Sequence, residues 1–446
     1  MRPHSPRAGV VRLEKPRRRR DNTMDRSSIA TRDVLAQSRG RRSAALTIIA
    51  AALALAAVLG GLIVLANPAS ARAEGPGEGT PTVVSLGDSY ISGEAGRWAG
   101  NTGESSSWVD ALGKTAYYDN SGHTAELIPG CHRSQSAEVY IGSGVVGENL
   151  ACSGAKTSSF TEEEDFKPGL DFYNSGGHEG QALMLEHYAA KHNVKLVAIS
   201  IGGNNYNFAS IVQSCIEDFL FSPEWWPDYC SEESSVLENF SSGNVTTQTN
   251  AIKGAVENVA KAMTGAGYKT SQYTILMQDY PSPIPLGSGF RYSQSGYTRQ
   301  EVGGCGFWNA DANWANEHAL PTIDGSVFKG AEKTSLTNIK YLQLSSVFNG
   351  RRLCEKGVGL LEEEGLKSWK NTGAVDKTEW INQVRTVSTL YEEYELQEDL
   401  HPNYWGQLAL RNCLTQAYSA GTPKGGTCTI SGTGLNTVGE PNMTLK

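Results

Sequence analysis

Short apolar runs that stop abruptly at turn residues constrain this chain more than any other feature of its sequence. Thr82-Val83-Val84-Ser85-Leu86 ends at Gly87-Asp88, and the run from Val194 to Ile201 ends at Gly202-Gly203. Tyr273 to Met277 ends at Asp279-Tyr280-Pro281, and Ile339 to Leu344 is a fourth run of the same kind. Runs this short and this largely apolar fit strands buried on both faces, as in a parallel sheet. Between them lies helical periodicity: Ile252, Ala255, Val256, Val259, Ala260 and Met263 form one apolar helix face, ended by Gly265 and Gly267. Strands alternating with helices predict an α/β chain whose parallel sheet is covered on both sides. Ligands of such sheets gather at the carboxyl ends of the strands, so the residues after each run are the ones to inspect.

Charge is distributed unevenly. Residues 1–43 hold 13 Lys and Arg against 4 Asp and Glu, although the whole chain holds 39 against 47. The remainder is therefore strongly acidic and repels phosphate backbones, which excludes nucleic acid as an expected partner. The basic block precedes an uncharged apolar segment, Ala44 to Ala66, followed by Ala69-Ser70-Ala71 and Ala71-Arg72-Ala73. A basic flank, an apolar run and an A-x-A site describe a secretory signal. The same run is long enough to span a bilayer as an uncleaved anchor. Either way the acidic body is expected outside the cytoplasm, secreted or membrane-anchored. The expected organisation is a basic leader (1–43), a signal peptide or anchor (44–73), a Gly-rich linker (74–80), one folded domain (81–430) and a C-terminal tail (431–446).

All eight cysteines follow the apolar segment, and an even count confined to an exported body predicts disulfides. Sequential pairing is the simplest proposal: Cys131 with Cys152, Cys215 with Cys230, Cys305 with Cys354 and Cys413 with Cys428. Sequence cannot fix the connectivity. No C-x-x-C pair is present, which disfavours zinc. No Walker loop and no H-E-x-x-H occurs either.

Four places carry candidate chemistry. Ser89, in Gly87-Asp88-Ser89-Tyr90, sits directly after the first run, where a hydroxyl and its own N–H can face one point; alone, the motif reads as turn chemistry. Gly154, in Cys152-Ser153-Gly154-Ala155, can bring a backbone N–H close to a substrate. Asn204 follows the second run, and its side-chain amide is a neutral donor for developing negative charge. His401 lies in Glu398-Asp399-Leu400-His401-Pro402-Asn403, just before a helix expected from Tyr404 to Tyr418. Glu398, three residues earlier, is the expected partner that orients the imidazole, with Asp399 in reserve.

Ser, Gly, Asn and His in this order and in these local sequences resemble the SGNH, or GDSL, hydrolase family, from about Val83 to Leu414. Cys131-His132-Arg133-Ser134 and Asn149 to Thr157 are similar to its disulfide-bearing secreted actinobacterial esterases and lipases. The chain departs from the family at Asn205, where Gly-x-Asn-Asp is usual, and at Glu398, where the acid is usually Asp. Some members of the branch use a backbone carbonyl there instead.

The resemblance implies a three-layer α/β/α flavodoxin-like fold with a parallel central sheet and disulfide-stapled insertions. It implies an ester hydrolase with Ser89 as nucleophile, His401 as general base, an oxyanion hole of Ser89, Gly154 and Asn204, and no cofactor or metal. The substrate would be an ester of a lipid or of an acylated carbohydrate. Two alternatives stand beside an esterase or lipase: a polysaccharide O-deacetylase, and an inactive surface-binding module. A standard α/β-hydrolase is disfavoured, because no Gly-x-Ser-x-Gly elbow occurs. The aromatic, acidic segment from Tyr206 to Phe240 reads equally as a wall of the substrate cleft or as an insertion with its own small core. Trp308 and Trp314, in a second insertion, are candidate platforms for sugar rings.

Overall fold

The computed structural model describes residues 74–162, 165–385 and 396–446. The basic leader and the apolar run 44–66 lie outside the described residues. Among those described, no helix is long and apolar enough to cross a membrane.

The first strand, β1 (Pro81–Gly87), runs straight into a single helical turn, α1 (Ser89–Ser92). Then come β2 (Val146–Asn149), α2 (Gln181–Ala189) and β3 (Asn193–Ser200). Two helices follow, α3 (Phe208–Phe221) and α4 (Ser242–Gly265), before β4 (Thr274–Gln278). The chain ends with α5 (Leu320–Glu332), β5 (Ile339–Gln343), α6 (Tyr404–Tyr418), β6 (Gly426–Leu435) and β7 (Pro441–Leu445).

These seven strands form one sheet in the order β7-β6-β5-β4-β3-β1-β2. Every pairing is parallel except the last, where β7 returns antiparallel to β6. The 2-1-3-4-5 portion is the doubly wound order, which reverses beside β1 and leaves a crevice beyond the carboxyl ends of the strands.

Period-2 alternation sorts the strand residues onto two faces. Val83, Leu196, Ala198, Leu276 and Leu342 belong to one core, with Leu408, Leu410 and Leu414 of α6. Val84, Leu86, Val197, Ile199, Ile275 and Met277 belong to the other, with α2, α4 and α5. Helices thus cover both faces, giving the three layers of the α/β expectation. The helix face read from Ile252 to Met263 lies in this second core; α4 extends further at its N-terminus, where Ser241 caps it by accepting from the Asn244 N–H.

One expectation needs correction. Residues 431–446 are not a tail: they complete β6 and form β7. Thr, Ser and Gly dominate this stretch, so no apolar run announces it; Met443 and Leu445 nevertheless pack into the core beneath α6. The central sheet is otherwise the expected parallel one, with β7 added antiparallel at its edge. Four disulfides join Cys131–Cys152, Cys215–Cys230, Cys305–Cys354 and Cys413–Cys428, the sequential pattern.

Candidate active site

Ser89 stands at the carboxyl end of β1, on the first residue of α1. The turn that puts it there requires Gly87, whose φ is +135°; a Cβ at this position would lie 1.8 Å from the Ser200 carbonyl oxygen. Gln181 grips the same glycine from α2, accepting from its N–H at 2.7 Å and donating to its carbonyl at 2.8 Å. Asp88 caps α1 by accepting from the Tyr90 N–H.

Asp88 is itself buried, and burial pushes its carboxyl up to about 7, against the opposing hydrogen bonds from Tyr280 and Tyr90. The Tyr280 hydroxyl donates to Asp88 and accepts from the Gly203 N–H at 2.9 Å. One phenol therefore ties the Ser89 turn to the loop after β3.

His401 reaches Ser89 from the far end of the chain, with Nε2 2.7 Å from Oγ. Its loop is fixed on two sides. Asn382 donates its N–H to the His401 carbonyl and accepts from Leu400, and the Tyr90 hydroxyl donates to the Leu400 carbonyl at 2.9 Å. Asn403 then caps α6, accepting from the N–H groups of Trp405 and Gly406. Burial lowers the His401 pKa below its ordinary value, partly offset by the Glu94 carboxylate and the Asp399 and Glu398 carbonyls. Burial thus favours the neutral form of the ring.

Neither expected carboxylate engages the imidazole. Glu398 points away: Oε2 accepts from Trp98 Nε1 at 2.7 Å, and Oε1 accepts from the Tyr117 hydroxyl. Asp399 accepts from the Arg385 N–H at 3.0 Å, and burial raises its carboxyl to about 8. His401 Nδ1 has no hydrogen bond of good geometry among the described residues, although the Asp399 and Glu398 carbonyls act on the ring. The reading of Glu398 as the orienting acid, with Asp399 in reserve, is therefore not what the geometry presents. Spacing of three before a histidine cannot say which way a side chain in a tight turn will point.

The carboxylate whose charge bears on the imidazole is Glu94, which sequence reasoning missed. It is wholly buried just beyond α1. Its oxygens receive His132 Nδ1 at 2.7 Å and Gln397 Nε2 at 3.0 Å. Burial alone would raise its pKa, but the charge and hydrogen bond of His132, then His401 and Ser153, bring it below the ordinary carboxylate range. The available signal was His132 itself, an imidazole beside a cysteine of a bridged loop.

Gly154 sits on that loop with φ +79°, a conformation glycine favours. Cys131–Cys152 anchors it, and Arg133 holds the carbonyls of Ala151 and Leu150 at 2.7 and 3.0 Å. Among the described residues no acceptor takes the N–H of Ser89 or Gly154. Asn204 Nδ2 donates to the Ala155 carbonyl at 3.0 Å, which fixes the amide beside Gly154. Asn205 uses both ends of its amide: Nδ2 donates to Thr157 Oγ1 and Gln248, and Oδ1 accepts from the Thr157 N–H. A carboxylate at this position could not donate; the departure from the family pattern is thus a fully used staple between the two loops.

Ser89, Gly154, Asn204 and His401 share one cleft of about 580 Å³. Phe208, Val212, Ile216 and Leu220, spaced four apart along α3, form its apolar wall. The other edge carries Val384, Arg385, Gln397 and Asp399. The Tyr206–Phe240 segment thus lines this cleft with one edge of α3 and buries Ile211, Cys215 and Phe219 of the same helix in the core. Trp308 is buried and stacks at a tilt on Phe219, while Trp314 is partly buried against Phe240. Neither is an open platform for a sugar ring. The described residues contain no cluster of side chains fit to hold a metal ion.

No protein-family profile and no curated protein sequence matches the chain. Among solved structures it is similar to an extracellular lipase from Streptomyces rimosus, at 18% identity and a TM-score of 0.39. It is similar too to a phospholipase A1 from Streptomyces albidoflavus, at 16% identity and a TM-score of 0.41. Both alignments cover 76% of this chain and 99% of the other. A carbohydrate acetylesterase from Sinorhizobium meliloti aligns over the same shares, at 11% identity and a TM-score of 0.30.

Proposed function

We propose that the chain is a serine ester hydrolase working through an acyl-enzyme on Ser89. The observation that carries this reading is the 2.7 Å contact between His401 Nε2 and Ser89 Oγ, made where two backbone N–H groups and one side-chain amide are also offered. His401 takes the Ser89 proton as Oγ bonds to the ester carbonyl carbon, and the carbonyl electron pair moves to oxygen. The N–H groups of Ser89 and Gly154 and the Asn204 amide receive that oxyanion, each worth roughly 3 kcal/mol. Collapse expels the alcohol, which takes the proton from His401. Water then repeats the sequence, with His401 again as base, and releases the acid. Glu94, in place of Glu398, supplies the negative charge that favours the transient imidazolium, and the Asp399 and Glu398 carbonyls assist it.

The apolar wall of α3 supports acyl esters of lipid type. The polysaccharide O-deacetylase reading loses support, since Trp308 is buried and Trp314 is partly buried against Phe240. The inactive-module reading rested on Asn205, whose hydrogen bonds leave the Ser89–His401 pair untouched. Four disulfides support a place outside the cytoplasm.

The test is hydrolysis of p-nitrophenyl esters from acetate to long acyl chains by the wild type and Ser89→Ala. Turnover lost in the variant, with kcat/KM rising with chain length, is the expected result. A preference for acetate favours the deacetylase, and no turnover of any ester sinks the enzyme reading.

A further inference from the structure

The cleft wall does not end inside the protein. Its last residue, Leu220, is followed at once by Phe221, which is 83% exposed. Trp225 and Trp226, in the next turn, are 82% and 74% exposed. The segment is not a loose tether: Cys215–Cys230 closes it, the Trp226 N–H donates to the Pro223 carbonyl at 2.8 Å, and Glu224 accepts from the Ser295 hydroxyl. Three large rings are thus held in water by a braced turn, at a cost in hydration that scattered surface apolars do not account for. From Phe208, which borders the Ser89 pocket, to Leu220 the apolar edge runs about 18 Å along the helix.

We infer that Phe221, Trp225 and Trp226 form a docking tip that inserts into the surface of an uncharged or zwitterionic ester-lipid aggregate, delivering acyl chains along α3 to Ser89. The inference rests on the hydrolase reading only for the fate of the chain, not for the docking. Residues 206–240 contain seven Asp and Glu and no Lys or Arg. A field of that sign repels anionic headgroups, so the occupant is a neutral interface rather than a polybasic-binding membrane. Indole rings suit the boundary of such an interface, and Phe221, which has no polar handle, suits its apolar side. A polysaccharide would meet an apolar wall behind the rings rather than the paired donors and acceptors that sugars need.

The test compares the full chain with a triple variant, Phe221→Ser, Trp225→Ser and Trp226→Ser, none of which lines the cleft. Cosedimentation with phosphatidylcholine vesicles should weaken at least tenfold in the variant, and wild-type binding should weaken when phosphatidylserine is added. Turnover of dissolved p-nitrophenyl acetate should stay unchanged, which also shows that the variant folds. The inference is overturned by a wild type that ignores phosphatidylcholine, or by a variant that binds it equally. It is overturned as well if the triple change instead abolishes self-association in sedimentation, or binding to an insoluble polysaccharide. If Ser89→Ala leaves soluble-ester turnover intact, the hydrolase reading falls while the vesicle result still decides the docking.

Discussion

Replacing Glu398 by Gln separates two accounts of how His401 is held. In the structure the Glu398 carboxylate serves Trp98 Nε1 and the Tyr117 hydroxyl, and it makes no hydrogen bond to His401. A glutamine of the same shape keeps one acceptor and turns an NH2 group toward the other donor. Losing one hydrogen bond to a charged acceptor costs roughly 1.5–3 kcal/mol, so stability should fall by about 2 kcal/mol. Chemistry should suffer much less. The loop of His401 remains tied by Asn382 and by the Tyr90 hydroxyl, so kcat per folded site should stay within about tenfold. Had Glu398 been the orienting acid, kcat would drop by about 10⁴. Urea unfolding reads the stability, and burst titration with a p-nitrophenyl ester reads kcat per active site. A fall of 10³ or more in the folded enzyme would refute the reasoning, because it would require the carboxylate to act on the imidazole.

Other perturbations should give distinct signatures. Because burial lowers the His401 pKa and the base works neutral, kcat/KM should rise with pH through a limb below the ordinary histidine value of about 6.5. Glu94→Gln removes the carboxylate that favours the protonated ring, so that limb should move lower still while kcat falls. Asn204→Ala should lower kcat by about 10²–10³ with little change in KM, read in steady-state kinetics. Replacing Cys131 and Cys152 together by Ser should cost about 3 kcal/mol in urea unfolding, and should slow turnover more than opening Cys413–Cys428, because the bridge carries the Gly154 loop.

The parts legible in the sequence were those that local chemistry dictates. β1, β3 and β4 are largely apolar runs because both sheet faces are buried there, β5 is more exposed, and Gly87 and Gly202 mark where the chain turns out after β1 and β3. β2 escaped notice because Val146-Gly147-Glu148-Asn149 lies at the sheet edge, with Val146 exposed and no apolar stretch. β6 and β7 escaped for a related reason: their order comes from pairing with each other and from Cys428, not from their own propensity. Of the residues proposed for the site, Ser89 and Asn204 stood out because they follow apolar runs, and Gly154 and His401 because of their local sequences. Glu94 and His132 did not, since 38 positions separate them and only the fold brings one to the other. Glu398 misled because a spacing in sequence carries no information on side-chain direction.

The central claim is that His401 activates one particular alcohol. Reaction with a fluorophosphonate, followed by peptide mass mapping, reads it directly. The account predicts one adduct per chain, on Ser89, formed faster as pH rises through the His401 limb, and nearly abolished in His401→Ala. An intact, folded protein that takes no label, or takes it on another residue, contradicts the account.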